Sequence, residues 1–479
     1  MSNALTTQTH DDYGVYLPIW TKCRDTRGGE DSVKAAGETY LPRLDGQTDT
    51  QYEAYKMRSR FFNAFGKTID GHLGLATRKQ IMMEVPPASE ELLENVDRKG
   101  NTLEEYIKAV LADTLEVNRG GTLVDYPVVQ DGETQADAAG KNPYFVYYKA
   151  EHIRDWRYDE SNQLVYVLLR EELPKEERNL QNGIRYRYRE LKLEDGRYTQ
   201  TLTVDGEEGA REAVTPQMDF KALDAIPFVF HQSKTDNDIQ APLLIDLVNL
   251  TLSHYRLKAD HAHALHYAAL PTPWITGVDS DSKDSPTTIG PQTVWKISAP
   301  EAKVGMLEFT GQGVAAIKEE LTSMEDQMAI LGSRVLLPEM AEHTATASKL
   351  RSISETSDLA NTVLTLEKQF NQLLEILLSW AGIAGEVEVD MPTDFMPTEM
   401  DAPMITAMVG AWQQGAFDFD TLVKNFQKAE IIEADTNMEE MKAAIADEDE
   451  QRVLNAAKAM QAVGGNDDPQ NSGGTPEDA

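Results

Sequence analysis

One cysteine, Cys23, stands in a chain of 479 residues, so no disulfide closes within it and no cysteine-built zinc site is available. That scarcity fits a reducing compartment. Basic residues are also few: 45 Lys and Arg against 80 Asp and Glu give a net charge of −35. This is the reverse of what a tight duplex binder needs to neutralise phosphates, and it argues against stable wrapping of nucleic acid. Like charge still leaves passage of DNA along the surface open, because it prevents adhesion; read plainly, the same charge is only solubility. Long apolar runs are missing. The most apolar stretch, PLLIDLVNLTL (242–252), is interrupted by Asp and Asn, short of the roughly eighteen residues a membrane span requires. The opening MSNALTTQTHDDYG has neither the basic start nor the apolar core of a secretory signal. The expectation is a soluble protein with no membrane partner.

Catalytic and cofactor signatures are equally sparse. No phosphate-binding G-x-x-x-x-G-K-[ST], dinucleotide G-x-G-x-x-G or nucleophile-elbow G-x-S-x-G occurs, so a motor, a dinucleotide enzyme and an α/β-hydrolase are unsupported. DSDSKD (279–284) begins like a calcium loop, but Lys283, Asp284 and Gly290 occupy positions that need a ligand, a glycine and a glutamate. His261, His263 and His266, beside Asp260, resemble metal ligands in type only, since residues two apart on a helix point to different sides. No catalytic residue, metal or cofactor is expected.

What is present is length and periodicity. HTATASKLRSISETSDLANTVLTLEKQFNQLLEILLSWAG (343–382) has no proline and a glycine only at its end. As a helix, Ala347 to Trp380 reaches roughly 50 Å and needs a neighbour along its length. Leu350, Ile353, Leu359, Val363, Leu366, Phe370, Leu373, Ile376, Leu377 and Trp380 are its apolar positions, suited equally to a large α-domain or to a contact between subunits. Two shorter striped helices precede it. The first runs from about Pro242 to Leu270, with Leu243, Leu247, Leu250, His254, Leu257, His261 and Ala264 on a four-three alternation. The second carries Val314, Ile317, Leu321, Met324, Met328 and Leu331. Between them PWITGV, QTVWKIS and VGMLEFT read as strands of a small insert, and Gly332 and Pro338 interrupt the pattern before the longest helix.

Upstream, residues 1–49 read as irregular, followed by one helix from Asp49 to Leu75 on Tyr52, Tyr55, Phe62, Phe65 and Ile69. Another helix starts at Asn101 or Thr102, with Glu104 and Glu105 in its first turn, and stops near NRGG. From 122 to 232 the period is two, with a hairpin turn at EDG (194–196). In that hairpin Ile184, Tyr186 and Tyr188 share one face and Arg185, Arg187 and Arg189 the other, either a solvated basic face or a nucleic-acid platform. Short helices are expected from 401 to 462, then a tail of disordered composition from 463 to 479. The fold class is α+β.

Several stretches, in this order, resemble the portal proteins of tailed bacteriophages, specifically a little-characterised portal-like branch. They are VKAAGETYLP, YEAYKMRSRFFNAFGKTIDGHLGL, GGTLVDYP, AEHIRDWRY, IPFVFHQ, PLLIDLVNLTLSHYRLKADHAHALHYAALPTPWITG, LEFTGQGVAAIKEELTSMEDQMAILGSRVL and TATASKLRSISETSDLANTVLTLEKQFNQLLEILLSWAG, covering most of 33–382. The resemblance implies a ring of usually twelve copies at one capsid vertex, a passive channel through which double-stranded DNA is packaged and ejected. It implies as partners the major capsid protein, the terminase large subunit, a head–tail adaptor and transient non-specific DNA, with location in the virion after assembly in the bacterial cytoplasm. Carried onto this chain it gives a helical wing (1–121), a β-rich wing (122–235), a first stem helix (236–270), a clip (271–312), a second stem helix (313–332), a tunnel loop (333–346), a long wing helix (347–384), a helical crown (385–462) and a tail (463–479). Leu336, Leu337, Pro338, Glu339, Met340, Glu342 and His343 would form the constriction. Lys318, Glu319, Glu320, Glu325 and Asp326 would be channel-lining candidates. Trp274, Trp295 and Lys296 would make clip contacts. A different virion or adaptor protein, or a metal-dependent hydrolase, are the alternatives.

Overall fold

The structure is a computed structural model describing residues 4–127, 142–173, 185–205, 216–218, 221–268, 272–277, 300–307, 312–332, 345–393, 395, 402–429, 431–432, 436, 438 and 441–446. Helix and antiparallel sheet are mixed, an α+β chain, in two units: Met1–Thr393 and Asp394–Ala479.

In the first unit, packing overrides local propensity near the start. Helix α1 (Asp11–Gly28) runs through the stretch read as irregular, despite Gly14 and Pro18 within it. Its buried residues are Tyr13, Trp20, Cys23 and Thr26, at helical spacing, so tertiary burial outweighs the poor formers. Burial also pushes the Cys23 thiol up to about 12, which leaves no thiolate for chemistry at neutral pH.

The helix expected over 49–75 is two helices, α2 (Asp49–Arg58) and α3 (Ala64–Ala76). Thr48 and Gln51 close a capping box on α2. The Ser59 hydroxyl turns to Lys56 O (2.6 Å) and the Tyr255 hydroxyl (3.0 Å), and Asn63 Oδ1 accepts from Gly66 N (2.9 Å) to start α3. Such side-chain bonds to the backbone interrupt a helix without disturbing its apolar period. Helix α4 (Leu103–Val117) has the Thr102–Glu105 capping box and ends at Asn118, left-handed at φ 56°. There the Asn118 side chain donates to Ala241 O (2.9 Å) and accepts from Ser233 N (2.8 Å), which holds that conformation.

The strands include β1 (Met82–Glu84), β2 (Gly120–Asp125), β3 (Tyr144–Lys149), β4 (Ile153–Tyr158), β5 (Leu164–Glu172), β6 (Tyr186–Glu194), β7 (Arg197–Val204) and β8 (Phe228–His231). Strands β4 to β7 form an antiparallel meander, and β8, β2 and β3 a second antiparallel sheet in that order. The arginine face of the β6–β7 hairpin is not solvated. Arg189 is 8% exposed, and its Nε donates to Glu171 Oε1 (2.7 Å) while Nη1 donates to Asp125 Oδ2 (2.9 Å). Arg187 Nε also donates to Glu171. Burial works against the Glu171 charge, but the two guanidiniums outweigh it and hold that carboxyl below its usual range. The network fastens one sheet to the other. On the opposite face Tyr188 packs with Tyr166 and Leu168.

The longest helix, here given as Ala345–Ala381, has 37 residues and a length of roughly 55 Å. From Leu359 onward its neighbour is its own chain: Leu359, Val363, Leu366, Phe370, Leu373, Leu377 and Trp380 are all buried. It lies on β8 and β2, with contacts to α3 and α4. Register is set by polar ties: Thr365 Oγ1 donates to Ser233 O (3.2 Å), Gln369 Nε2 to Gln232 O (3.2 Å), and His231 stacks on Phe370 at 5.4 Å between ring centres. The side chains of Leu350 and Ile353 lie outside the described residues.

After this helix, Glu388–Asp390 pairs antiparallel with β1, bracketed by Asn371, whose side chain bonds both N and O of Val389 (2.8 and 3.1 Å). This piece of the region read as a helical crown is therefore strand. The second unit holds helices Ala402–Gln413, with no buried residue, and Phe419–Lys428, capped by Asp418 and burying Leu422 and Val423.

Candidate functional site: an antiparallel helix pair

Two helices stand out from this core, α5 (Ile245–Ala268) and α6 (Gln312–Leu331). Their register is legible from three levels. Leu247 lies against Gly332, His254 Nε2 meets Glu325 Oε1 at 3.1 Å, and His261 senses the charge of Lys318. Seven residues forward on α5 match seven backward on α6, so the pair is antiparallel with a repeating seam. At its base Gly332 is required by close approach: a Cβ there would stand 2.6 Å from Thr68 Oγ1 and 3.0 Å from Met328 O.

Helix α5 buries two faces. Leu247 and His254 face α6, while Val248, Leu252, Tyr255 and Ala259 turn to the amino-terminal helices. There Tyr55 OH donates to Asp260 Oδ1 (2.5 Å) and Phe61 packs edge-on against Tyr255. Leu250 and Leu257 are half-buried and Leu243 is exposed. On α6 only Leu321 and Met328 are buried; Val314, Ile317 and Met324 are half-buried, and Leu331 is 41% exposed.

The histidines pack rather than converge. Burial holds His254 below its usual pKa, against the pull of Glu325. Burial does the same to His261, helped by Lys258 and Lys318, and to His263, helped by Arg58. His263 sits edge-on between Tyr55 and Tyr267. Among the described residues no three His, Cys, Asp or Glu side chains come together as a metal site, and no helix is long and apolar enough to cross a membrane.

The charged positions Lys318, Glu319, Glu320, Glu325 and Asp326 are all exposed on α6. Glu325 is engaged with His254; Glu319, Glu320 and Asp326 have no ion pair among the described residues. Beyond the helix ends, β9 (Thr272–Thr276) and β10 (Lys303–Leu307) pair antiparallel. Trp274 covers Gly305, where a Cβ would stand 2.7 Å from the indole. Trp274, Val304 and Met306 are exposed. Trp295 and Lys296, and Leu336, Leu337, Pro338, Glu339, Met340, Glu342 and His343, lie outside the described residues. Periodicity did not distinguish the two buried faces of α5.

A domain of unknown function, DUF4055, matches residues 242–381, which is α5 through the 37-residue helix. No curated protein matches this chain. Among solved structures, a chain of the virion of a native gene transfer agent particle is similar at 12% identity, covering 81% of this chain and 95% of that one, with a TM-score of 0.37. A chain from the neck of the native particle, computed with C12 symmetry, is similar at 12% identity over 74% and 86%, TM-score 0.34. A chain from the neck of the empty particle, computed with C6 symmetry, is similar at 13% identity over 81% and 94%, TM-score 0.33.

Proposed function

We propose that this chain is a portal subunit of a tailed-phage-like particle: one copy of a closed ring that forms a passive channel for double-stranded DNA and a platform for motor and adaptor proteins. The observation that carries the reading is the order of parts in 242–381. An antiparallel pair of long helices is bridged by a β-paired insert and followed, after a short interval, by a 37-residue helix seated on the sheet. The pair serves as a stem, the β9–β10 insert as a clip exposing Trp274, Val304 and Met306 for contacts at its end, and the seated helix as the wing. A stem with exposed carboxylates on α6 passes a polyanion without holding it, because like charges leave no adhesive minimum along the path. The segment 336–343 is proposed as the constriction.

The reading is structural rather than catalytic. Two buried charge clusters, Arg189 with Glu171 and Asp125, and Arg24 with Asp113, Glu116 and Glu151, are committed to one another, and Cys23 is held as a thiol. Negative-stain images of the purified chain, over a range of protein and salt concentrations, test it. Annular particles with a central hole are expected; particles without a hole under every condition would point to another virion component instead.

A further inference from the structure

The apolar stripe of α6 is wider than the contact α5 makes with it. Leu321 and Met328 are covered, but the edge formed by Ile317, Met324 and Leu331 is half-buried to exposed. At about 100° per residue these three, spaced by seven, lie on one line, and Glu320 flanks it. Glu320 is exposed and has no ion pair among the described residues.

A second unfinished surface lies on the far side of the hairpin. Nine residues of helix turn about 900°, so Arg256 points away from the side of α5 that Leu247 gives to α6. Here α5 and α1 enclose a groove of about 650 Å³, with Leu17, Pro18 and Leu252 among its apolar lining and Lys22 and Arg256 as its cations. Lys22 Nζ donates to Asn249 Oδ1 (2.7 Å) and Arg256 Nη2 to Ser253 Oγ (3.0 Å). Neither meets a carboxylate among the described residues, in a chain with nearly twice as many acidic as basic groups.

Resting on the ring reading, we propose that the Ile317–Met324–Leu331 edge of one copy seats in the α1–α5 groove of the next copy, with Glu320 facing Arg256. The two surfaces are distinct, so the contact is heterologous and repeats around a closed ring. Heights agree. Rotation about an axis parallel to the hairpin preserves level, and the intrachain register sets Met324 level with Tyr255, inside the Asn249–Arg256 span of the groove, Leu331 level with Val248 at its end, and Ile317 level with Ala262, about 9 Å past Arg256. Glu320 then stands about 4.5 Å along the axis from the level of Arg256, within reach of two long side chains. Glu319 and Asp326, on the remaining flank, are left to the channel.

The test is a charge swap in the full chain, read by sedimentation velocity and negative-stain imaging. Glu320→Arg and Arg256→Glu are each expected to raise the concentration needed for rings by about tenfold or more. The double variant is expected to recover most of that loss, while thermal melts of all three monomers stay at the wild-type value. Rings that persist unchanged in both single variants would overturn the contact and leave the ring reading standing, as would a double variant no better than the singles. A wild-type chain that forms no ring under any condition would take down both.

Discussion

The sheets with the 37-residue helix, proposed as a wing, and the α5–α6 pair, proposed as a stem, finish their interactions to different degrees. In the wing, the 37-residue helix from Leu359 to Trp380 has its apolar line buried against its own sheet, and the arginines of β6 are paired with Glu171 and Asp125. In the stem, α6 buries two of its six stripe residues, leaves Leu331 in solvent, and carries three carboxylates with no ion pair among the described residues. Side chains at the same helical spacing thus have two fates. The sheet-and-long-helix region is finished in one copy, whereas the α5–α6 pair has the composition of a surface that still has contacts to make.

The contrast can be broken most forcefully in the wing. Arg189→Ala leaves Asp125 buried without its cation and Glu171 with Arg187 alone, and a loss of about 3–5 kcal/mol in urea unfolding is expected. A loss under 1 kcal/mol would mean that water reaches those carboxylates and the network is no clamp. Phe370→Ala removes a ring stacked on His231 and is expected to cost about 3–4 kcal/mol by the same measurement.

Acid is the next lever. Burial lowers His231 from its ordinary value of 6.5 to about 4, so the folded chain keeps this imidazole neutral where the unfolded chain takes up a proton. The unfolded state binds more protons between those two values, so stability falls as pH drops through that window, by up to about 3 kcal/mol from this residue. Urea midpoints measured from pH 7.5 to 4.5 should fall less steeply for His231→Gln than for the wild type; parallel slopes would remove His231 as the cause.

The smallest effect sharpens the comparison inside one helix. Met328→Ala should destabilise the monomer by about 2 kcal/mol or more, and Leu331→Ala, three residues on, by no more than about 0.5 kcal/mol. Equal losses would show that both positions belong to the same intrachain core.

Several elements were legible because their signals are local. The start of α4 near Asn101 or Thr102, the period of two through β5 and β6, and the stripes of α5 and α6 follow from backbone geometry acting on neighbouring residues. Helix α1 was not, because Gly14 and Pro18 speak against it and only the burial of Trp20 and Cys23 in a distant-residue core favours it. The break at Ser59–Asn63 was hidden behind an apolar period that continues across it, and the arginine row of β6 looked solvated because its carboxylates come from β2 and β5. At the stem, the charged residues of α6 were readable as exposed, but the division of its stripe into a covered half and an open edge was not.

By itself the sequence determined the order of elements through the helix–insert–helix–long-helix segment and an acidic character that disfavours clinging to DNA, since each depends on composition or on spacings of a few residues. Only the tertiary structure decided which side of each helix is used up within the chain, where the charges of the sheets find partners, and which surfaces are left over. Those outcomes depend on contacts between residues far apart in the chain, and a one-dimensional period specifies a face without specifying what will cover it.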